Sequence, residues 1–151
     1  MNARRKVSPL DVKLKLSANS AKLNVSDVDG KLKVLAVDDN SISLAAIEQA
    51  LNDEYEVIPI NSGTRALQYL KSERPDLILL DIQMEVKDGI ETLKEIRDME
   101  ECKDIPVIML TSMRDKEIVF ESAKLGVVDY VIKPFNKLDL HERVDRVLKW
   151  E

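Results

Sequence analysis

Three acidic side chains stand directly after short runs of aliphatic residues. Asp38 and Asp39 follow residues 33–37, and Asp81 follows residues 77–80. Such runs are typical of strands buried on both faces of a parallel sheet, and the carboxyl ends of parallel strands meet at one edge. Carboxylates gathered at one edge repel each other unless a hard divalent cation lies among their oxygens. The sequence therefore predicts a Mg²⁺ site that contains Asp38, Asp39 and Asp81.

A hydroxyl group and an ammonium group follow two further apolar runs. Thr111 ends the run 107–110, and Lys133 precedes Pro134 after residues 131–132. A carboxylate beside a bound cation can attack phosphorus, because the metal neutralises both the carboxylate and the phosphoryl oxygens. The hydroxyl and the ammonium can hold the remaining phosphoryl oxygens. The pattern predicts phosphoryl transfer to the strand-end aspartate, rather than an acid that only caps a strand.

The strands that carry these residues alternate with helical patterns from residue 31 onward. The predicted strands lie at residues 33–37, 55–60, 77–81, 107–111 and 131–132. The predicted helix N-caps are Asn40 or Ser41, Ser62, Asp88, Asp115 and Asn136. Five strand–helix units with right-handed crossovers give an α/β fold, a doubly wound parallel five-stranded sheet.

Apolar residues at helical spacing predict which helix faces pack on the sheet. In the first helix the mostly apolar face consists of Ile42, Ala45, Ala46, Gln49 and Ala50. In the last helix the apolar residues are Leu138, Val144, Val147 and Leu148. Gly126 stands where a left-handed residue is expected to end the fourth helix.

The length and composition fit one domain that has a substantial core. Of 151 residues, 44% are hydrophobic and 34% are charged, as in ordinary globular proteins. There is no apolar run of about 18 residues and no secretory signal pattern, so we expect no membrane contact. The single cysteine, Cys102, is interpreted as a loop residue and cannot form an internal disulfide, which agrees with a reducing compartment. These features predict a cytoplasmic protein.

Residues 1–30 form an N-terminal extension whose charge differs from that of residues 31–151. The extension carries six basic and three acidic side chains, whereas the rest carries 17 basic and 25 acidic ones. The acidic body argues against direct DNA binding. Alternating apolar residues permit a short hairpin, and Ser8-Pro9 permits a short helix instead. A docking or self-association arm is the functional interpretation, because an alternating apolar edge needs a cover.

From residue 31 to residue 151 the chain resembles the receiver domains of two-component response regulators. The resemblance is carried by VLAVDDN at 34–40, LILLDIQM at 77–84, DG at 88–89, IMLTS at 108–112 and GVVDYVIKPF at 126–135. It implies a flavodoxin-like fold like that of the single-domain chemotaxis regulators. It also implies a phosphorelay in which a histidine kinase or histidine phosphotransfer protein phosphorylates Asp81. The domain would be a signalling phosphoacceptor, not an enzyme, that assists its own phosphorylation and dephosphorylation and acts on a downstream protein partner or as a homodimer.

The resemblance also implies a role for each residue of the metal site. Asp39 and Asp81 correspond to direct Mg²⁺ ligands, together with the backbone carbonyl of Gln83. Asp38 corresponds to an acid that acts largely through water. Gln83 and Met113 occupy positions that set how fast the aspartyl phosphate hydrolyses.

A second group of residues corresponds to the family's conformational switch. Thr111 and Lys133 match the two residues that sense the phosphoryl group, and Tyr130 matches the aromatic side chain that turns inward in response. The surface that changes is formed by the fourth helix, the last strand and the fifth helix. The Lys133-Pro134 bond corresponds to a cis peptide that aims the lysine at the site.

One residue departs from the family pattern, and two alternative functions remain open. Glu85 stands where the family usually has proline. The loss of proline loosens the loop after Asp81. A receiver-like scaffold that works without phosphorylation is therefore one alternative. Another is a phosphohydrolase of the haloacid-dehalogenase type, which requires a second acid two residues after the nucleophile, where this chain has Gln83.

Overall fold

The computed structural model describes residues 30–112 and 116–149, in which strands and helices alternate. The strands are β1 (Lys33–Val37), β2 (Glu56–Ile60), β3 (Leu77–Asp81), β4 (Val107–Thr111) and β5 (Asp129–Ile132). The helices are α1 (Ser41–Leu51), α2 (Gly63–Leu70), α3 (Gly89–Asp98), α4 (Lys116–Lys124) and α5 (Lys137–Leu148). No helix in the described ranges has the length and apolar character needed to cross a membrane. Residues 1–29 of the N-terminal extension, Met113 and the predicted cap Asp115 lie outside the described residues.

The five strands form one parallel sheet in the order β2-β1-β3-β4-β5. The chain moves outward from β1 in one direction and from β3 in the other, so the order reverses between these two strands. In such sheets the crevice beyond the carboxyl ends at the reversal is the usual ligand site. The register pairs Val37 with Leu80 and Asp81 with Leu110, which brings the acidic ends of β1 and β3 side by side. The predicted flavodoxin-like fold is confirmed.

Helices cover both faces of the sheet, which explains why the central strands are mostly apolar between their ends. Every residue of β1, β3 and β4 is buried. Alternate strand residues point to opposite faces. Val34, Leu77 and Leu79 pack with α1 and α5, whereas Leu35 and Ile78 pack with α2 and α3.

Local capping fixes where most of the helices begin. Asn40 accepts hydrogen bonds from two backbone N–H groups of α1, and Ser62 and Asn136 each accept one from α2 and α5. Asp88 forms a capping box with Glu91 at the start of α3. These four caps agree with the sequence prediction. Each cap satisfies N–H groups that have no partner inside the helix.

The predicted inward face of α1 is wrong along the helix, since Ala45 and Gln49 are exposed, and that of α5 is wrong at its first turn. Ile42 is 78% exposed and Leu138 is 77% exposed, whereas Leu44 and Leu140 are buried. Residues two positions apart lie on nearly opposite sides of a helix. The spacing of Leu44, Ile47 and Leu51, not the alanine-rich stripe, therefore marks the face of α1 that packs on the sheet.

Cys102 is a core residue rather than a bystander in a loop. It lies in a turn after α3 and is 1% exposed, with its Sγ 3.6 Å from the Leu70 carbonyl oxygen. Burial raises the pKa of this thiol. The side chain therefore acts as a small apolar group that packs α3 against α2.

Candidate functional site

Three carboxylates converge where β1 and β3 end. Oxygen atoms of Asp38, Asp39 and Asp81 lie within 4.8 Å of one another. Asp38 is fully buried and Asp81 is 4% exposed, whereas Asp39 is exposed. The parallel pairing of β1 with β3 produces this cluster directly, because both strands deliver acids to the same edge.

A lysine from the loop after β5 lies against two of these acids. The Nζ of Lys133 is 2.8 Å from Asp38 Oδ2 and 3.4 Å from Asp81 Oδ2. Its backbone N–H donates to the Thr111 carbonyl oxygen at 2.8 Å, and the Lys133-Pro134 peptide bond is cis. The lysine is therefore anchored to the end of β4 while its ammonium group compensates part of the carboxylate charge.

Each carboxylate also accepts a hydrogen bond from a backbone N–H. Asn40 donates to Asp38 Oδ1 at 2.9 Å, and Gln83 donates to Asp81 Oδ1 at 3.3 Å. Glu85 donates to Asp39 Oδ2 at 3.0 Å. The Glu85 contact crosses from the loop after β3 to the end of β1. Sequence reasoning missed this donor; its only signal was the absence of proline at position 85.

The electrostatic environment of Asp81 opposes its charged form. Burial first, and the negative charge of Asp38 second, raise the pKa of Asp81 to about 6, although the Lys133 ammonium and the Gln83 N–H act in the opposite direction. A further cation at the edge would favour the ionised carboxylate.

The donor set suits a hard divalent cation such as Mg²⁺. All three side chains offer carboxylate oxygens, and the octahedral geometry of Mg²⁺ places opposite ligands about 4.2 Å apart, which is within the 4.8 Å spread of the cluster. The Lys133 ammonium group contacts Asp38 and Asp81 and supplies one positive charge beside three carboxylates, so it leaves negative charge uncompensated. The residues present therefore fit the cation that the sequence predicts.

Gly89 allows the loop after Asp81 to fold back tightly onto the end of β3. A Cβ atom at this position would lie 2.2 Å from the Asp81 carbonyl oxygen and 2.7 Å from the Ile82 Cα. Its backbone N–H donates to the Ile82 carbonyl oxygen at 2.8 Å. No side chain fits between helix α3 and the strand that carries Asp81.

Tyr130 connects β5 to helix α4. Its hydroxyl donates to the Val119 carbonyl oxygen at 2.9 Å and lies 2.9 Å from Ser122 Oγ. Ser122 is fully buried. The tyrosine is therefore half-buried but its hydroxyl is paired with α4. A serine on the inward face of a helix is the signal that could have identified this partner.

The structure brings together some of the predicted site residues and separates others. Asp38, Asp39, Asp81 and Lys133 form one contact cluster. Thr111 is buried at the end of the neighbouring strand β4. Gln83 is exposed in the loop after β3 and reaches the cluster through its backbone, whereas the Tyr130 hydroxyl contacts α4.

Comparison with known proteins gives matches over most of the chain. A family model described as the response regulator receiver domain matches residues 34–145. Protein CcdB of Bacillus subtilis (strain 168) is 36% identical over 116 residues, which make up 76% of this chain and 95% of that protein. Related transcriptional regulators are longer, and in three of them the match spans 47% or less of their length.

Solved structures give the same result. The chemotaxis protein CheY4 of Vibrio cholerae superposes with a TM-score of 0.74 at 34% identity and covers 78% of this chain and 99% of that one. The phosphorylated cyanobacterial phytochrome response regulator RcpA gives a TM-score of 0.72 at 32% identity, over 80% of this chain and 96% of that one. The sequence match, the fold and the acidic edge agree, and the chain therefore belongs to the response regulator receiver domain family of two-component signalling.

Proposed function

We propose that this receiver domain accepts a phosphoryl group on Asp81, with Mg²⁺, from a histidine kinase or a histidine phosphotransfer protein. The observation that carries the proposal is the cluster of Asp38, Asp39 and Asp81 with the Lys133 ammonium group beside it. Receiver domains are signalling domains, so the phosphoryl group would switch the domain between two signalling states rather than convert a metabolite. In this proposal the receiver domain spans residues 31–151, and residues 1–30 precede it as the N-terminal extension.

The phosphoryl transfer is an in-line displacement at phosphorus. An Asp81 carboxylate oxygen attacks the phosphorus of a phosphohistidine, the O–P bond forms and the P–N bond breaks. The electron pair of the broken bond stays on the imidazole nitrogen. In the second step, water attacks the phosphorus, the bond between phosphorus and the Asp81 oxygen breaks, and the carboxylate and inorganic phosphate are released. Mg²⁺ held by Asp38, Asp39, Asp81 and the Gln83 carbonyl would neutralise the carboxylates and the phosphoryl oxygens.

Lys133 and Thr111 would hold the phosphoryl oxygens that the cation does not. The Lys133 ammonium already lies 3.4 Å from Asp81 Oδ2, so a short movement brings it to a phosphoryl group attached there. The Thr111 hydroxyl comes from the neighbouring strand end. Charge-assisted hydrogen bonds of this kind are stronger than neutral ones, so the two side chains respond to phosphorylation.

The output would be a change on the surface formed by α4, β5 and α5. Tyr130 links this surface to the site, because it lies on β5 and its hydroxyl holds the α4 backbone at Val119. A movement of Thr111 toward the phosphoryl group would open space for Tyr130 and would release this contact. A downstream protein partner would distinguish the two arrangements.

Intact-protein mass spectrometry tests the proposal. The wild type is incubated with acetyl phosphate and Mg²⁺, alongside D81N and the control D98N, which neutralises an exposed acid on α3. We expect one phosphoryl adduct on the wild type and on D98N, and none on D81N or in the presence of a chelator. A wild type that binds Mg²⁺ but gains no adduct would overturn the proposal, and so would an adduct that persists in D81N.

A further inference from the structure

The loop between β3 and α3 holds the one exposed acid of the site. The Glu85 backbone N–H donates to Asp39 Oδ2 at 3.0 Å. Asp38 and Asp81 are buried, so packing fixes their carboxylates, whereas the Asp39 side chain is exposed. Among the three acids, Asp39 therefore depends most on a hydrogen bond for its position.

The loop adopts a strained turn to make this contact. The Lys87 N–H donates to the Glu85 carbonyl oxygen at 2.8 Å, which closes a three-residue turn around Val86. Val86 has φ of +68°, and its side chain is fully exposed. A γ-turn with positive φ is rare and strained, above all for a β-branched residue. Such strain persists only where the surroundings enforce it, and no packing of the Val86 side chain does so.

Contacts on both sides of the turn enforce this conformation. On one side stands the hydrogen bond from Glu85 to Asp39. On the other, Lys87 pairs with Glu95 and Asp88 caps helix α3. The turn therefore bridges a fixed helix and the metal-site carboxylate.

Electrostatic repulsion indicates what the contact with Asp39 does. Like charges on Asp38 and Asp81 push an exposed Asp39 carboxylate away toward water. The Glu85 N–H counteracts this by holding Oδ2, which leaves the other oxygen available. A carboxylate that is already in place needs no reordering when a cation binds, and preorganised ligands bind more tightly.

We propose that the backbone N–H of Glu85 is a positioning group for Asp39 and sets the Mg²⁺ affinity of the site. The inference rests on the proposed function, because it assigns a role within the same metal site. The feature is the main-chain donor, not the glutamate side chain. Any residue except proline supplies it, so the departure from the family's usual proline has a functional consequence.

Titration calorimetry with MgCl₂ on E85P and E85A tests the proposal. Both variants lack the glutamate carboxylate, but only proline removes the N–H. We expect E85P to bind Mg²⁺ about fivefold to tenfold more weakly than E85A, since one hydrogen bond contributes about 1 kcal/mol. V86G keeps the donor and relieves the positive φ, so it should bind at least as tightly as the wild type. Equal affinities of E85P and E85A would overturn the inference.

Amide hydrogen exchange provides a second readout that does not depend on the folding of E85P. In the metal-free wild type, the Glu85 amide should exchange about tenfold more slowly than an unprotected peptide, and D39A should abolish this protection. An unprotected Glu85 amide in the wild type would overturn the inference. A wild type that binds no Mg²⁺ at all would instead overturn the proposed function, and the inference would fall with it.

Discussion

In the metal-free protein, the surroundings of Asp81 disfavour its ionised form. The proposed phosphoryl transfer requires the ionised carboxylate of Asp81, yet burial and Asp38 raise its pKa to about 6 from an ordinary 3.8. A residue that destabilises the fold in one protonation state is typical of a functional site. A cation bound beside the Lys133 ammonium group would favour the ionised form of Asp81.

We expect D81N to stabilise the metal-free protein in a pH-dependent way. Because the folded-state pKa of Asp81 is raised, the wild type loses stability as the pH rises from about 4 through about 6. The asparagine has no such loss. Urea unfolding in EDTA should show D81N about 1.5 kcal/mol more stable at pH 7, a value reduced from the full two-unit shift because solvent reaches the site.

The same comparison at pH 4 is the control. At pH 4 the Asp81 carboxyl is protonated in the folded chain, whose pKa is about 6, and only about half ionised in the unfolded chain, whose pKa is 3.8. Most of the difference between D81N and the wild type should therefore disappear. Addition of Mg²⁺ at pH 7 should stabilise the wild type more than D81N, by mass action on the folded state. A stability difference that is equal at both pH values would contradict a raised pKa of Asp81 in the folded protein.

At the scale of elements, the loop from β3 to α3 ends in a close approach of α3 to the strand that carries Asp81. Gly89 brings the start of α3 against the Asp81 carbonyl oxygen, and Asp88 caps the helix at that point. The helix start therefore fixes the strand end that presents the acid.

We expect G89A to disturb Mg²⁺ binding as well as stability. The added methyl group would overlap backbone atoms of Asp81 and Ile82, which cannot rotate away. Overpacking of this kind costs about 1–3 kcal/mol, and the forced shift should weaken Mg²⁺ binding. Urea unfolding and calorimetry measure the two effects.

G126A is the matched control. Gly126 has φ of +79° but open space around it, so alanine there should cost about 1 kcal/mol through backbone strain and leave the metal affinity unchanged. If G89A binds Mg²⁺ as well as G126A does, the close approach of α3 does not position Asp81.

The caps and strands follow from local signals in the sequence, whereas the helix faces follow only in part. Asn40, Ser62, Asp88 and Asn136 are side chains that satisfy nearby N–H groups, so their role is readable without the fold. The sequence of α1 permits two inward faces, one rich in alanine and one that contains Leu44. Packing against the sheet, which the sequence does not show directly, selects the face with Leu44.

At the scale of the whole molecule, the strand order explains why distant residues form one site. Alternating strands and helices predict a parallel sheet, and the parallel sheet brings the acids of β1 and β3 and the loop after β5 to one edge. The backbone contacts within this edge are not readable from the sequence. The turn at Val86 and the pairing of Tyr130 with Ser122 arise from loop and helix placement that only the folded chain defines.

The position of the phosphoryl group tests the central claim most directly. After phosphorylation with acetyl phosphate and Mg²⁺, borohydride reduces an aspartyl phosphate to homoserine, which peptide mass spectrometry locates. We expect homoserine at position 81 and aspartate unchanged at positions 38 and 39. Homoserine at position 38 or 39, or at none of the three while Mg²⁺ is bound, would contradict the assignment of Asp81 as the phosphoacceptor.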